Sequence, residues 1–269
     1  MPRSAFLDTT ILADLLLKPA REGRAARQLL DGFSETLLPQ YAIKEFKAGA
    51  LRNVIWFYNK LISCAVYSDA IAAIPLLWMQ SNKMLTAMRA MADFESSIGK
   101  ELPDQLAKKY PGQTEDIIRK AEAQLWLKTL IFRAWRRRRK VATHVVAPLS
   151  CYREIDPELR SSGVIDDRPV RCETDDCCLR RSFGARADDL KCLIDACDQQ
   201  AARPEIQKRR KALRRLNRFP DRELSETDCI ALGDAVFALQ CPQNSIIVTT
   251  NVRDHEPLAN ALGIQIVSP

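Results

Sequence analysis

Apolar and polar positions follow two different periodicities along the chain, and the change between them predicts where strands and helices lie. Short apolar runs that are typical of buried strands occur near both ends of the sequence, namely "SAFL" from residue 4, "ETLLPQ" from residue 35, "SIIVTT" from residue 245 and "IQIV" from residue 264. Between neighbouring runs, apolar residues recur at every third or fourth position, as they do along one face of a helix. We therefore expect strands and helices to alternate at both ends of the chain.

The middle of the chain has an almost wholly helical pattern. Its clearest helix is predicted over Thr114–Lys140, where Thr114 can cap the first turn and cations fill the last turn, in keeping with the helix dipole. A largely apolar stripe is predicted along it at Ile117, Ala121, Leu125, Lys128 and Phe132. The stretch "VATHVV" after this helix is compatible with a strand or a loop, and two further helices are expected over residues 186–202 and 204–218. The whole pattern indicates an α/β domain whose two sequence halves are separated by a helical insertion.

Length and hydropathy agree with a globular protein that lies outside membranes. The chain has 269 residues, of which 46% are hydrophobic, so it can bury a substantial core. No export signal opens the sequence, and the most apolar later stretch, residues 63–79, is interrupted by Asp69 and Pro75. We expect a cytoplasmic protein with no membrane partner.

The charge is positive and unevenly distributed. A net charge of +7 favours an anionic partner such as nucleic acid, although a soluble basic surface would give the same value. Two blocks, "RAWRRRRK" from residue 133 and "QKRRKALRRLNR" from residue 207, are dense in cations. In the first block Trp135 could stack on a base, and the candidate RNA-phosphate contacts are Arg136, Arg137, Arg138 and Arg139. The alternative is a solvated helix end that the dipole stabilises.

The nine cysteines are an odd number, which argues against an oxidised, secreted framework. Four of them form a Cys-x4-Cys pair repeated once and are candidate zinc ligands: Cys172, Cys177, Cys192 and Cys197. The second pair falls in a predicted helix, where residues five apart point in different directions. Scattered reduced thiols are the alternative to a zinc site.

Acidic residues stand at the places where an α/β fold presents its chemistry. Asp8 follows the first predicted strand, Glu45 lies in the helix after the second, and Asp234 begins an apolar helix. The carboxyl ends of parallel strands meet at one edge of a sheet, so these acids are expected to gather there. Gathered carboxylates repel one another unless a cation separates them, and Mg²⁺ or Mn²⁺ prefers such oxygen ligands. Ions of this kind activate water and neutralise charge that develops on a phosphate.

Three segments resemble the successive motifs of PIN-domain ribonucleases, the family that includes VapC-type toxins. They are "FLDTTIL", "LLPQYAIKEF" and "GDAVFALQCPQNSIIVTTNVRDHEPLANALGIQIV". The resemblance implies a three-layer α/β/α fold with a central, mostly parallel sheet and a divalent-metal site that cleaves RNA. It implies a nuclease core from residues 1–60 and 220–269. Residues 61–219 would be a mostly helical insertion with no counterpart in compact members of the family.

Carried over position by position, the resemblance makes Asp8, Glu45 and Asp234 the metal ligands. Asn251 stands where many members have aspartate, so either Asn251 or Asp254 would complete the catalytic site. Thr10 and Thr250 would position water or a phosphate oxygen. No histidine is required by this scheme, which disfavours a metal-independent nuclease that uses His144 or His255.

The function expected from these residues is metal-dependent hydrolysis of RNA phosphodiester bonds. The resemblance extends to a toxin–antitoxin pair, with an antitoxin protein as partner, and it leaves open whether the chain forms a homodimer. The alternative is a non-catalytic RNA-binding or scaffold protein whose metal site has decayed at Asn251. A phosphatase with a strand-end aspartate is disfavoured, because such enzymes have a second aspartate two residues later, at the position of Thr10.

Overall fold

A single parallel sheet runs through the centre of the protein. The computed structural model describes residues 4–18, 23–74, 81–98, 108–166, 178–200, 203–220 and 224–269. Five strands lie in the order β3-β2-β1-β4-β5, and each neighbouring pair is parallel. The strands are β1 (Ser4–Leu7), β2 (Glu35–Pro39), β3 (His144–Val146), β4 (Ser245–Val248) and β5 (Gln265–Val267). The predicted α/β class with a parallel central sheet is therefore confirmed.

The central strands come from the two ends of the chain. In β1 the register aligns Phe6 with Leu37 of β2 on one side and with Ile247 of β4 on the other. Apart from Ser4, every residue of β1 and β4 is buried, which is why these runs are continuously apolar rather than alternating. The strand predictions at residues 4, 35, 245 and 264 are confirmed.

One edge strand comes from the middle of the chain. In β3, His144 is aligned with Leu37 of β2, so the open choice for "VATHVV" is resolved as a strand. This strand falls within residues 61–219, and that stretch therefore contributes to the central sheet as well as supplying helices. The division of the chain into a core and an insertion stays a prediction.

Helices follow most strands and make up most of the described chain. The first group is α1 (Thr9–Leu17), α2 (Arg24–Leu30), α3 (Gln40–Phe46), a π-helical segment (Lys47–Leu51), α4 (Arg52–Ser63), α5 (Tyr67–Ala72) and α6 (Ser81–Ile98). The second group is α7 (Glu115–Arg137), α8 (Cys178–Gly184), α9 (Ala187–Asp198), α10 (Pro204–Arg218), α11 (Glu226–Ala231), α12 (Gly233–Gln240) and α13 (Val252–Ala261). No helix in these described ranges is both long and apolar enough to cross a membrane.

The long helix α7 packs back along α4. Gln124 Nε2 donates to the carbonyl of Leu61 at 3.1 Å, whereas Trp135, eleven residues later, lies near Lys47, whose ammonium is 5.3 Å from the ring centroid. The helix starts after Thr114 as predicted, but the Thr114 side chain makes no capping hydrogen bond, so that detail of the prediction is wrong.

The face that α7 buries is not the predicted one. The buried apolar side chains are Ile118, Ala123, Leu127, Leu130, Ile131, Ala134 and Trp135. Of the predicted stripe, Ile117 and Leu125 are 39% and 50% exposed, and Phe132 is only partly buried. Both stripes have helical spacing, and the packing of α4 and α1 on one side of α7 decides between them.

Candidate active site

Asp8 is held where β1 ends, beside the end of β4. Its backbone N–H donates to the carbonyl of Val248 at 3.0 Å, which extends the β1–β4 pairing by one residue. Its carboxylate accepts hydrogen bonds from the hydroxyls of Thr10 and Thr249, each at 2.7 Å, and from the backbone N–H of Thr9 at 2.6 Å. Asp8 therefore caps α1 and is at the same time fixed from β4, 241 residues away in sequence.

The environment of Asp8 favours the ionised carboxylate. Burial alone would raise the pKa of Asp8, whose side chain is almost fully enclosed. Contact with His255, the positive charge of that ring and the hydroxyls of Thr249 and Thr10 outweigh burial, so the pKa lies below its usual value. Asp8 is thus a fixed negative charge at neutral pH.

Glu45 reaches the same place from α3. The hydroxyl of Thr9 donates to Glu45 Oε2 at 2.8 Å. The other oxygen, Oε1, lies so close to the backbone of Gly233 that a Cβ at that position would be 2.5 Å from it. The absence of a side chain at Gly233, the first residue of α12, is therefore what lets α12 approach Glu45.

The neighbouring acids make the charge on Glu45 unfavourable. Burial, followed by the negative charge of Asp8 and, more weakly, that of Asp234, raises the pKa of Glu45 to about 8, although Thr9 opposes the shift. A carboxyl group with such a pKa is largely protonated at pH 7. Asp8, Glu45 and Asp234 are thus close enough to influence one another, as the sequence predicted.

His255 bridges two of these acids, which the sequence interpretation did not foresee. Its Nε2 atom lies 3.3 Å from Asp234 Oδ1 and 3.6 Å from Asp8 Oδ1, and its ring packs edge-on against Phe237 with centroids 5.5 Å apart. Burial lowers the pKa of His255, but the contact with Asp8 and the charges of Asp8, Asp234 and Glu45 raise it overall. The spacing in "NVRDH" held a usable signal, because His255 follows Asn251 by about one turn of α13 and so returns to the same edge of the sheet.

Arg209 of α10 provides a second cation at the site. It is 6% exposed, and its guanidinium donates to Asp234 Oδ2. Asp234 therefore has Arg209 on one carboxylate oxygen and His255 on the other. In the sequence, this region is distinguished only as a basic block. The ion-pair partner of Arg209 depends on how α10 packs, and no local pattern indicates it.

Arg209 is one of three arginines that connect α10 to the C-terminal segment. Arg203, just before the helix, pairs with Asp254 at 2.8 Å, and Arg215 pairs with Asp228. These arginines are six residues apart. Asp254, one of the two candidates for completing the site, is thus engaged by Arg203.

The remaining predicted residues occupy the rim. Thr10 contributes its hydroxyl to Asp8 and accepts a hydrogen bond from the backbone N–H of Thr250 at 3.1 Å. The Thr250 side chain is exposed, whereas that of Thr249 is fully buried against Asp8. Asn251 donates its backbone N–H to Thr249 Oγ1 at 2.9 Å. Thr249, which was not among the predicted site residues, is therefore the threonine after β4 that touches an acid.

Three carboxylates suit a hard divalent cation chemically, but their present partners restrict it. In the part of the chain that the structure describes, no three histidine, cysteine, aspartate or glutamate side chains are arranged to hold an ion as they stand. Both oxygens of Asp234 face cationic side chains, Arg209 at Oδ2 and His255 at Oδ1. An ion bound by Asp234 would compete with Arg209 at Oδ2 or with His255 at Oδ1.

The structure divides the predicted RNA-contact arginines into two pairs. Arg138 and Arg139 both pair with Glu154, in each case at 2.5 Å. Arg136 and Arg137 are exposed and make no ion pair within the described ranges. Trp135 is 2% exposed and is covered by the Arg138 guanidinium 3.7 Å from its ring centroid, so the predicted stacking of a base on Trp135 is wrong.

The predicted zinc ligands fall only partly within the structure. Cys172 and Cys177 lie outside the described residues. Cys192 is exposed and Cys197 is buried, both on α9. A zinc site stays a prediction.

Comparisons with known proteins did not identify relatives of this chain. No protein-family model, no curated protein and no solved structure matches it. The candidate site is therefore interpreted from its own chemistry.

Proposed function

We propose that this protein is a metal-dependent ribonuclease with a PIN-like, three-layer core, in which Asp8, Glu45 and Asp234 bind Mg²⁺ or Mn²⁺. The observation that carries the proposal is the convergence of these three carboxylates, from distant parts of the sequence, at the edge of a parallel sheet where its strands end. That edge is where α/β folds bind their ligands.

The energetic cost of this arrangement supports a functional role. Burial and, after it, the negative charges of Asp8 and Asp234 raise the pKa of Glu45 to about 8, although a glutamine there would avoid the cost of a buried charge. Strongly perturbed carboxylates with identified charge partners are typical of functional sites. A divalent cation, when bound, would relieve this repulsion, activate water and neutralise charge on a phosphate.

The chain's own residues have separable roles in this proposal. The hydroxyls of Thr10 and Thr249 hold the Asp8 carboxylate in one orientation. Thr9 does the same for Glu45. Arg209 and His255 provide positive charge beside Asp234, and Asn251 lies at the rim, where its amide can contact a phosphate or a water molecule. The toxin role, an antitoxin partner and a homodimer belong to the same proposal, and only the PIN resemblance supports them.

The second candidate is a non-catalytic RNA-binding or scaffold protein. The pairing of both Asp234 oxygens with internal cations favours it, because a site that supplies its own cations can be stable without a metal ion. The two functions differ in whether an added divalent ion binds these acids.

The test combines metal binding with cleavage of labelled single-stranded RNA. Wild-type protein is incubated with Mn²⁺ and then with excess EDTA, beside Asp8→Asn and the control Asp14→Asn, which changes an acid on α1 that pairs with Lys18. We expect cleavage only with Mn²⁺, loss of at least a hundredfold in Asp8→Asn and little change in the control. Calorimetric titration with Mn²⁺ gives a readout independent of activity. RNA binding without Mn²⁺-dependent cleavage, unaltered in Asp8→Asn, would favour the scaffold.

A further inference from the structure

We infer that a cationic groove on α7 binds the sugar–phosphate backbone of single-stranded RNA, at a site separate from the three acids. This groove, called the α7 groove below, is a cavity of about 370 Å³. Its charged and aromatic lining consists of Lys128, Phe132, Arg133, Arg136, Arg137 and Lys140. The identity of the ligand as RNA rests on the proposed function, whereas the preference for a polyanion follows from the groove itself.

In the described parts of the chain, no acidic side chain pairs with the five cations of the α7 groove. The adjacent Arg138 and Arg139, by contrast, share Glu154. Like charges gathered in a concavity repel one another and raise the local potential for anions. An anionic ligand in the groove would remove this repulsion.

The helix dipole accounts for only part of this cluster. Cations are stabilised within the last turn of a helix, and α7 ends at Arg137. Arg136 and Arg137 are therefore favoured by the dipole alone. Lys128 lies more than two turns before the end and Arg133 a full turn before it, so the dipole does not account for these two cations of the groove.

Phe132 gives the groove a feature that suits a nucleic acid. Its side chain is partly exposed among the cations, in contrast to the apolar residues that α7 buries in the core. An aromatic ring within a cationic groove is the usual platform on which an unpaired base stacks. Trp135 cannot serve in this way because it is buried.

The dimensions and position of the α7 groove define what it would hold. Residues 128 to 137 span about 14 Å of helix axis, which is the rise of about four nucleotides of one strand. Lys140 lies four residues before β3, near the end of the sheet where its strands begin, whereas the acids follow the opposite ends. The groove would therefore hold RNA that flanks the cleavage point rather than the bond that is cut.

An anionic membrane is the less suitable polyanion. A helix that lies on a lipid surface inserts a free apolar face. The larger apolar face of α7 is already occupied by the protein core. The exposed apolar residues Ile117 and Leu125 lie outside the groove, which is concave.

The experiment measures binding of a fluorescent 20-nucleotide single-stranded RNA by anisotropy, in EDTA, with the full chain. The groove variant is Arg133→Ala/Arg136→Ala/Arg137→Ala. Its charge-matched control is Arg24→Ala/Arg89→Ala/Lys208→Ala, which removes three exposed cations from other helices. All six side chains are exposed, so both variants should keep the circular dichroism spectrum and melting temperature of the wild type.

We expect the groove variant to lose at least tenfold in affinity at 100 mM NaCl and the control less than threefold. Because a single strand contributes about 0.7 to the salt slope for each phosphate neutralised, the slope of log K against log salt should become about two units shallower. Equal losses of RNA affinity in the groove variant and the control would overturn the inference. Unchanged RNA affinity in the groove variant would also overturn it. Loss of binding to phosphatidylserine vesicles with RNA binding intact would overturn it in favour of a membrane site.

This test and that of the proposed function can fail independently. Anisotropy in EDTA involves no cleavage, so a protein that never cleaves RNA can still show a functional α7 groove. Conversely, the groove variant could cleave RNA with Mn²⁺ and bind RNA as tightly as the wild type. That result would overturn RNA binding by the groove while supporting the proposed nuclease activity.

Discussion

Arg209 and Asp234 form a largely buried ion pair that connects α10 to the proposed metal site. The Arg209 side chain is 8% exposed and that of Asp234 22%. The pair joins the basic helix α10 to the acid in the first turn of α12. The guanidinium thus engages Oδ2 of Asp234, while His255, which also lies beside Asp8, is next to Oδ1.

We predict that Arg209→Met destabilises the protein and increases its response to divalent cations. Removing one member of a buried pair leaves the other charge uncompensated, which costs about 3 kcal/mol of unfolding free energy. Mn²⁺ should then restore much of the loss, because Oδ2 of Asp234 is released from Arg209 and can bind the ion. Thermal melting with and without Mn²⁺ measures both effects. The control is Arg214→Met. Arg214 lies on the same helix as Arg209, and its pair with Asp198 of α9 is more exposed. An equal Mn²⁺-induced rise in both variants would contradict the prediction.

A second prediction concerns the pH dependence of stability in the absence of metal. Glu45 has a pKa of about 8 in the folded protein and of 4.5 as a free side chain, so the native state holds more protons than the unfolded state between these values. The free energy of unfolding should therefore fall as the pH rises from about 4.5 to 8. His255, whose pKa is also raised, acts in the same direction.

Glu45→Gln should flatten this decline and be more stable than the wild type at pH 8 in EDTA. Chemical denaturation at several pH values is the measurement. Glu122→Gln is a control of opposite sign, because Lys109 and Tyr110 lower the pKa of Glu122, and its charged form stabilises the fold above its ordinary pKa. A wild-type stability that rises between pH 5 and 8 would contradict the assignment of Glu45.

A third prediction compares the contributions to stability of Thr249 and Thr250, the two threonines after β4. Thr249→Val keeps the size of a fully buried side chain but removes its hydroxyl, which donates to Asp8 and accepts from the Asn251 backbone. A hydrogen bond to a charged group contributes about 1.5–3 kcal/mol, so we expect a loss of about 2 kcal/mol in urea denaturation. Thr250→Val alters an exposed side chain and should change stability by less than about 0.5 kcal/mol. Similar losses in the two variants would rule out the special role of Thr249.

A fourth prediction uses the contact between Gly233 and Glu45. Gly233→Ala would place a methyl group 2.5 Å from Glu45 Oε1, so the carboxyl group must move. Alanine is the better helix former by about 1 kcal/mol, and this gain offsets part of the strain. The fold should therefore persist while Mn²⁺ affinity and RNA cleavage fall, cleavage by at least tenfold. Gly49→Ala, where an added Cβ meets no atom within 4 Å, is the control. Unchanged Mn²⁺ affinity in Gly233→Ala would show that Glu45 is not a ligand of the ion.

Local sequence was sufficient for the framework of the fold and for the three acids. Buried strands such as "SAFL" and "SIIV" are recognisable because both of their faces lie in the core, which makes the run continuously apolar. Asp8 and Asp234 stand at junctions that short-range patterns mark, whereas Glu45 was singled out because "LLPQYAIKEF" resembles a PIN-domain motif.

The tertiary structure decided which cations surround those acids and which faces are buried. Strand β3 has only three residues, none of them fully buried, so its pairing with β2 defines it better than its pattern does. The buried face of α7, the choice of Thr249 over Thr250, and the approach of Arg209 and His255 to Asp234 all depend on contacts between distant segments. Periodicity records that a face is buried. The periodicity of a segment does not indicate which residues will contact it. Those contacts depend on how elements far apart in the chain pack together.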